Sequence, residues 1–325
     1  MPSWNVYVTR RIPDAGLDLL REAGIAFEMN QEDRVLAPDE LRAAVRGRDG
    51  VLCLLTDTID ASVLDAAKGA KVFANYAVGF NNIDVNAATE RGVLVTNTPG
   101  VLTETTADMA WALIMATARR IVEGDRFVRA GKFHGWGPMM LLGVDVYGNT
   151  LGIVGAGRIG TAVARRAQGF SMKVLYTGPD PNPEIRTLKA EETSIDDLLR
   201  RSDIVSVHAP LTEETRHLIG ERELALMKKT AILVNTSRGP VVDEKALVNA
   251  LRAGIIAGAG LDVYEEEPKL APGLAKLDNV VLTPHTASAT IATRSKMASM
   301  AATNLLAALR GEKPPNLVNP EAWGR

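Results

Sequence analysis

The stretch TLGIVGAGRIGTAVARRAQGF, Thr150 to Phe170, passes from an apolar run through three glycines, Gly155, Gly157 and Gly160, into a segment with helical apolar spacing. Strand, glycine turn and helix in that order open a βαβ unit, and G-x-G-x-x-G in that context is a signature for binding a dinucleotide. Each glycine has a physical task. Gly155 permits the tight turn, Gly157 lets backbone N–H groups approach a pyrophosphate, and Gly160 allows close contact of helix and strand, while the helix N-terminus favours the anion. Ile159 lies in the same loop. Arg158 either adds a cationic hydrogen bond to the phosphates or is a solvated arginine at a helix start.

Outward from this unit the same alternation continues in both directions. Towards the C-terminus the β-rich runs are MKVLYT (172–177), DIVSVHAP (203–210), TAILVNTS (230–237), IAGAGLDV (256–263) and VVLTPH (280–285). Towards the N-terminus they are NVYVT (5–9), GVLCLL (50–55), KVFANY (71–76) and VLVTN (93–97), with helix-period stretches between them. Strands that are apolar on both faces and separated by helices imply parallel sheets, so the reading is α/β, with two doubly wound lobes. A long helix is expected from near Thr105, where TTAD resembles a capping box, to Gly124, followed by the glycine-rich loop GKFHGWGPMMLLG. The last helix, TIATRSKMASMAATNLLAALRG, needs a neighbour for its apolar face. Because the second lobe already looks complete, it is expected to return to the first. The expected division is 1–101 with 287–325 for one lobe and 102–286 for the dinucleotide-binding lobe.

Composition narrows the function classes. The 325 residues suit two domains; 46% are hydrophobic and 23% charged, and 37 Lys+Arg against 39 Asp+Glu leave a net charge of −2. No broad basic field is present, so neither nucleic acid nor an anionic membrane is expected as a partner. The opening MPSWNVYVTRR has no apolar signal core, and no run approaches the roughly 18 apolar residues of a membrane span. A cytoplasmic location is expected. The one cysteine, Cys53, sits in an apolar run, which excludes a disulfide within the chain and points to a buried structural thiol.

A second signal stands at the ends of later strands, where α/β sheets hold their ligands. ILVNTSRGP presents Arg238, AGLDVYEEEP presents Asp262 and Glu267, and VVLTPHTAS presents His285. An arginine fork suits a carboxylate, and a histidine with a carboxylate partner can be held protonated to act as a general acid. Singly, each has an ordinary structural reading: a surface arginine, a solvated acid in a turn, a loop histidine at a proline corner. Together they form a constellation.

Over essentially its whole length the sequence resembles the D-2-hydroxyacid dehydrogenases, the glyoxylate/hydroxypyruvate reductase branch in particular. The matching segments are NYAVGFNNIDVNAATERGVLVTNTPGVLTETTADMA, LGIVGAGRIG, LVNTSRGPVVDEKAL, AGLDVYEEEP and LTPHTASAT. The resemblance implies a Rossmann cofactor domain with a flavodoxin-like substrate domain, and NAD(P)H-dependent reduction of a small 2-oxo acid to a D-2-hydroxy acid. It implies that Arg238 holds and polarises the substrate, that His285 protonates the carbonyl oxygen, and that Glu267 orients and charges His285. Backbone N–H groups at Val78 and Gly79 would take the substrate carboxylate. Asp262, with Thr106, Pro210 and Thr236, would lie near the cofactor. A homodimer is expected, with Trp136 either reaching the neighbouring subunit's substrate pocket or anchoring its own loop. His208 is read as cofactor contact or strand-end packing, His134 and His217 as loop residues; no metal site is expected, because no second histidine or cysteine stands at ligand spacing.

The end of the second strand of the dinucleotide unit reads Thr177, Gly178, Pro179, where NAD-dependent relatives carry an acid for the ribose hydroxyls. Without that acid a 2′-phosphate is not repelled, so NADP(H) is favoured. Pro179 stands where an arginine often follows and Asp180 comes next, so NAD(H) stays open. Two other readings share the motifs, a D-3-phosphoglycerate dehydrogenase-like enzyme and a dinucleotide-sensing corepressor-like binding protein.

Overall fold

The computed structural model describes residues 4–324 and divides the chain into two units. The first runs through Leu102 and resumes at Ala289; the second is Thr103–Ser288.

The first unit contains β1 (Asn5–Val8), α1 (Asp14–Glu22), β2 (Ala26–Met29), α2 (Pro38–Ala44), β3 (Gly50–Leu54), α3 (Ala61–Ala66), β4 (Val72–Tyr76), α4 (Val85–Glu90) and β5 (Leu94–Thr96). Its strands form one parallel sheet in the order β2-β1-β3-β4-β5. Alternate residues of each strand feed two cores. On one face Val6, Val8, Leu52 and Ala74 meet Leu17 and Leu20 of α1, and on the other Val51, Cys53 and Phe73 meet Val63 and Leu64 of α3. The sequence reading missed β2, because AFEM carries Glu28 and lies at the sheet edge, where half its surface is wet and the apolar signal is weak.

The second unit contains α5 (Thr103–Ala118), α6 (Ile121–Arg129), β6 (Thr150–Val154), α7 (Arg158–Ala167), β7 (Lys173–Thr177), α8 (Glu184–Thr187), β8 (Glu191–Glu192) and α9 (Ile195–Arg201). It continues with β9 (Ile204–Val207), α10 (Glu221–Leu226), β10 (Ile232–Asn235), α11 (Glu244–Arg252), β11 (Gly258–Leu261) and β12 (Val280–Leu282). The seven strands are parallel in the order β12-β11-β10-β9-β6-β7-β8, so the chain reverses its winding between β6 and β9. The two-residue β8 is a strand that sequence pattern alone could not signal.

The last helix, α12 (Ile291–Leu309), belongs to the first unit. Met297, Ala298, Ala301, Ala302 and Leu305 pack with Leu17 and Leu20. The approach to α1 is close because Gly16 has no side chain, and a Cβ there would stand 2.6 Å from the Ala298 carbonyl oxygen.

Two differences from the sequence reading have local causes. The helix expected from Thr105 to Gly124 begins at Thr103 and stops at Ala118, and α6 starts anew at Ile121 after Arg120 takes φ 51°. The carbonyl of Ala118, which a continuing helix would offer to residue 122, instead accepts from Val144 N at 2.9 Å, and Arg120 Nη1 donates to Leu142 O at 3.2 Å. The unit boundary falls at Ser288, beyond the expected residue 286, because the Asp262 carboxylate accepts from Thr286 N and Ala287 N, both at 2.8 Å, and ties that segment to β11.

Candidate active site

At the end of β6 the backbone turns through Gly155, whose φ of 95° excludes most side chains. A Cβ on Gly155 would lie 2.5 Å from Ala209 N and 2.7 Å from the His208 carbonyl carbon, so the turn rests directly on the end of β9. A Cβ on Gly160 would overlap the Gly155 carbonyl oxygen. Gly157, by contrast, faces open space and caps α7 with no side chain, which leaves the leading N–H groups of the helix for an anion. Arg158 and Ile159 begin that helix.

Two buried polar atoms at neighbouring strand ends have no hydrogen-bond partner among the described residues: His208 Nδ1 after β9 and Thr236 Oγ1 after β10. Pro210 lies two residues beyond His208; Thr177 ends β7, with Gly178 and the exposed Pro179 beyond it, and Asn182 N crosses back to Ala156 O at 2.8 Å. An uncapped helix start, a glycine turn without side chains and strand-end polar atoms lacking partners fit a dinucleotide.

His208 itself is only partly buried, yet its Nδ1 is shut off from solvent while Nε2 lies 2.8 Å from Ser206 Oγ. Burial lowers its pKa to about 3. The unfolded chain therefore binds a proton that the native state refuses as pH falls below about 6.5. Native stability is expected to drop by up to about 1.4 kcal/mol per pH unit between pH 6.5 and 4 through this residue. Urea unfolding across that window should show a shallower pH slope in His208→Gln than in the wild type. Equal slopes would mean that the native ring can take up the proton.

The strand-end constellation is assembled by β10, β11 and the turn after β12. Asp262, at the end of β11, is fully buried; its carboxylate accepts from Thr283 Oγ1 at 2.6 Å as well as from the amides of Thr286 and Ala287. Having no exposed surface, it holds the turn that carries His285. His285 N donates to Asp262 O at 2.8 Å, and His285 adopts φ 53° within that turn. Its Nδ1 stands 2.8 Å from Glu267 Oε2, and Glu267 Oε1 accepts from Tyr264 N at 3.1 Å. A carboxylate only accepts, so Nδ1 carries a hydrogen and the ring orientation is fixed, with Nε2 at the far side.

Electrostatics support the pair. Burial pushes the Glu267 carboxyl up, but the hydrogen bond and charge of His285, the Tyr264 amide and the charge of Arg238 together hold it below the ordinary range. Glu267 is therefore ionised at neutral pH. Arg238 follows β10; Asn235 Nδ2 holds its carbonyl at 3.0 Å, and its own Nη1 donates to Ser237 O at 2.8 Å. Burial lowers its pKa, against the opposing pull of Glu267. The Tyr264 hydroxyl is pushed up to about 12 by burial and by the carboxylates of Asp262, Glu267 and Glu244.

Thr106 is buried on α5. Val78 and Gly79 follow β4; their carbonyls accept from Asn97 Nδ2 at 2.7 Å and Asn75 Nδ2 at 3.0 Å, while neither amide N–H donates a hydrogen bond among the described residues. Trp136 is 84% exposed, and Val128, Phe133, Met139, Leu142 and Tyr147 of the same stretch of chain are also exposed. Sequence reasoning missed a neighbouring group: His217, read as a loop residue, has its Nε2 2.5 Å from Glu265 Oε1. The partners are 48 residues apart and no local pattern links them. Among the described residues no three His, Cys, Asp or Glu side chains gather as metal ligands.

A Rossmann-type turn, a histidine–carboxylate pair and a strand-end arginine define a dinucleotide-dependent α/β oxidoreductase. The chain belongs to the D-isomer specific 2-hydroxyacid dehydrogenases: residues 111–287 match the NAD binding domain of that family. It is 57% identical to a glyoxylate reductase of Korarchaeum cryptofilum over 322 residues, covering 97% of this chain and 96% of the relative. The crystal structure of a Thermus thermophilus protein superposes with a TM-score of 0.89 at 49% identity, covering 97% of this chain and 99% of that one. An NADPH-dependent glyoxylate/hydroxypyruvate reductase of Sinorhizobium meliloti, solved with NADP and malonate, gives 0.87 at 32% identity, covering 100% of this chain and 99% of that one.

Proposed function

We propose that the protein is an NADPH-preferring glyoxylate/hydroxypyruvate reductase, forming D-2-hydroxy acids from small 2-oxo acids. The observation that carries the reading is the His285–Glu267 pair, 2.8 Å apart and within the field of Arg238. The nicotinamide, when bound, supplies the hydride. His285, held through Nδ1 by ionised Glu267, presents a protonated Nε2 to the carbonyl oxygen and delivers its proton as negative charge develops there. Arg238 donates its planar fork to the substrate carboxylate and carbonyl oxygen, a geometry lysine cannot copy.

Thr177, Gly178 and Pro179 offer no acid to oppose a 2′-phosphate, and Arg158, exposed at the start of α7, is assigned to the cofactor's phosphates. The exposed apolar side chains from Val128 to Tyr147 support a homodimer built on this segment, with Trp136 serving the neighbouring subunit's pocket. No helix among the described residues is long and apolar enough to cross a membrane. The single, fully buried Cys53 suits a reducing cytoplasm.

The test is kcat/KM for NADPH and NADH, each with glyoxylate and hydroxypyruvate. The expected result is turnover of both acids with at least about tenfold preference for NADPH, a difference of ~1.4 kcal/mol. Preference for NADH would assign the ribose to Asp180; absence of turnover with either acid would remove the reductase reading.

A further inference from the structure

Behind the His285–Glu267 pair lies a second layer of carboxylates and imidazole. Glu244, 5% exposed, and Glu265 bind one another's backbone: Glu265 Oε2 accepts from Glu244 N at 2.9 Å, and Glu244 Oε2 accepts from Glu265 N at 3.1 Å. The other oxygen of Glu244 accepts from Ala271 N at 3.1 Å, so this one side chain spans the loop containing Glu267. The remaining oxygen of Glu265 takes His217 Nε2 at 2.5 Å, while Asp243 Oδ2 stands 4.0 Å from His217 Nδ1. His217 N in turn donates to Pro240 O at 2.8 Å, two residues beyond Arg238. Three segments are thus joined at one point: the loop after β9, the Arg238–Val241 turn, and the Tyr264–Ala271 loop.

We propose that His217, Glu265 and Glu244 form a positioning lock for the catalytic pair. They touch neither substrate nor cofactor in this assignment; they fix the loop that aims Glu267 at His285 and hold it against the turn bearing Arg238. The need for such a lock follows from geometry. Glu267 is set by one amide, Tyr264 N, and by His285 itself, so its aim depends on where the 264–271 backbone lies. That backbone is anchored through Glu244 and Glu265, and Glu265 is oriented by His217. Small displacements of a catalytic group cost rate far more than they cost binding.

This inference rests on the reductase reading, and its test separates the two. His217→Ala and Glu265→Ala, assayed beside the wild type with glyoxylate and NADPH, are expected to lower kcat about tenfold with KM for glyoxylate within about twofold. His217→Gln keeps an N–H for Glu265 Oε1 and is expected to restore most of kcat. The hydrogen-bonded Nδ1–H proton of His285, assigned by its disappearance in His285→Gln, gives a readout independent of turnover: its low-field NMR resonance should broaden or vanish in His217→Ala and return in His217→Gln. Unchanged kcat with an unchanged resonance overturns the lock. So does a parallel loss of kcat, KM and Tm that glutamine does not repair, which would leave His217 a purely structural tie. If the wild type turns over neither acid, the reductase reading falls and the resonance alone decides: lost in His217→Ala it sustains the lock, retained it ends it.

Discussion

His285→Gln is expected to lower kcat for glyoxylate reduction by about 10²- to 10⁴-fold while KM changes far less. The glutamine amide can still donate to Glu267 Oε2, which accepts His285 Nδ1 at 2.8 Å in the native protein. It has no proton to release at neutral pH. What is lost is therefore stabilisation of the charge that develops on the carbonyl oxygen, an interaction made chiefly in the transition state, and such a loss appears in kcat and kcat/KM together. Steady-state kinetics at saturating NADPH measure it. Near-normal turnover would remove His285 as proton donor and with it the role of Glu267.

The second large effect is expected from the smallest change, Gly239→Ala. A Cβ at this position would overlap the carbonyl of Tyr264 and approach Glu265 N to 2.5 Å. Those are backbone atoms, flanked by the Glu244–Glu265 exchange of hydrogen bonds, so they cannot swing aside as a flexible side chain would. Either the turn carrying Arg238 or the segment carrying Glu267 must shift. A loss of about 10²-fold in kcat/KM is expected from that displacement, with overpacking lowering unfolding free energy by about 1–3 kcal/mol. Kinetics and urea unfolding on the same preparation separate the two. A stability loss without a kinetic one would show that the strain relaxes away from both Arg238 and Glu267.

Why some of this was legible in the sequence and some not follows from how far apart the interacting residues are. The glycine turn could be read because its steric needs are local: Gly155, Gly157 and Gly160 answer to neighbours within one strand–turn–helix unit. The parallel sheets could be read because strands buried on both faces carry apolar residues at every position, as ILVN of β10 does over its first three. Arg238, Glu267 and His285 stood out as strand-end polar residues and by resemblance, but the 2.8 Å pairing and the φ of 53° that aims the ring come from Asp262, which holds the turn from another strand. The break at Arg120 was invisible for a similar reason, since Val144, 26 positions beyond Ala118 in the chain, supplies the competing amide. Glu265 and His217 gave even less signal: one is the first of three consecutive acids, the other a histidine in a polar loop.

The return of α12 to the first unit sets an order of events during synthesis. The sheet made of residues 5–96 emerges from the ribosome first, yet Leu17, Leu20 and Val8 share a core with Met297, Ala301 and Leu305. Until those late residues arrive, one face of that sheet keeps an apolar surface in water. The second unit, Thr103–Ser288, has its own complete sheet and can close beforehand. The lobe translated first is thus the last to be finished, and in the interval it is the part of the nascent chain most in need of a chaperone's cover.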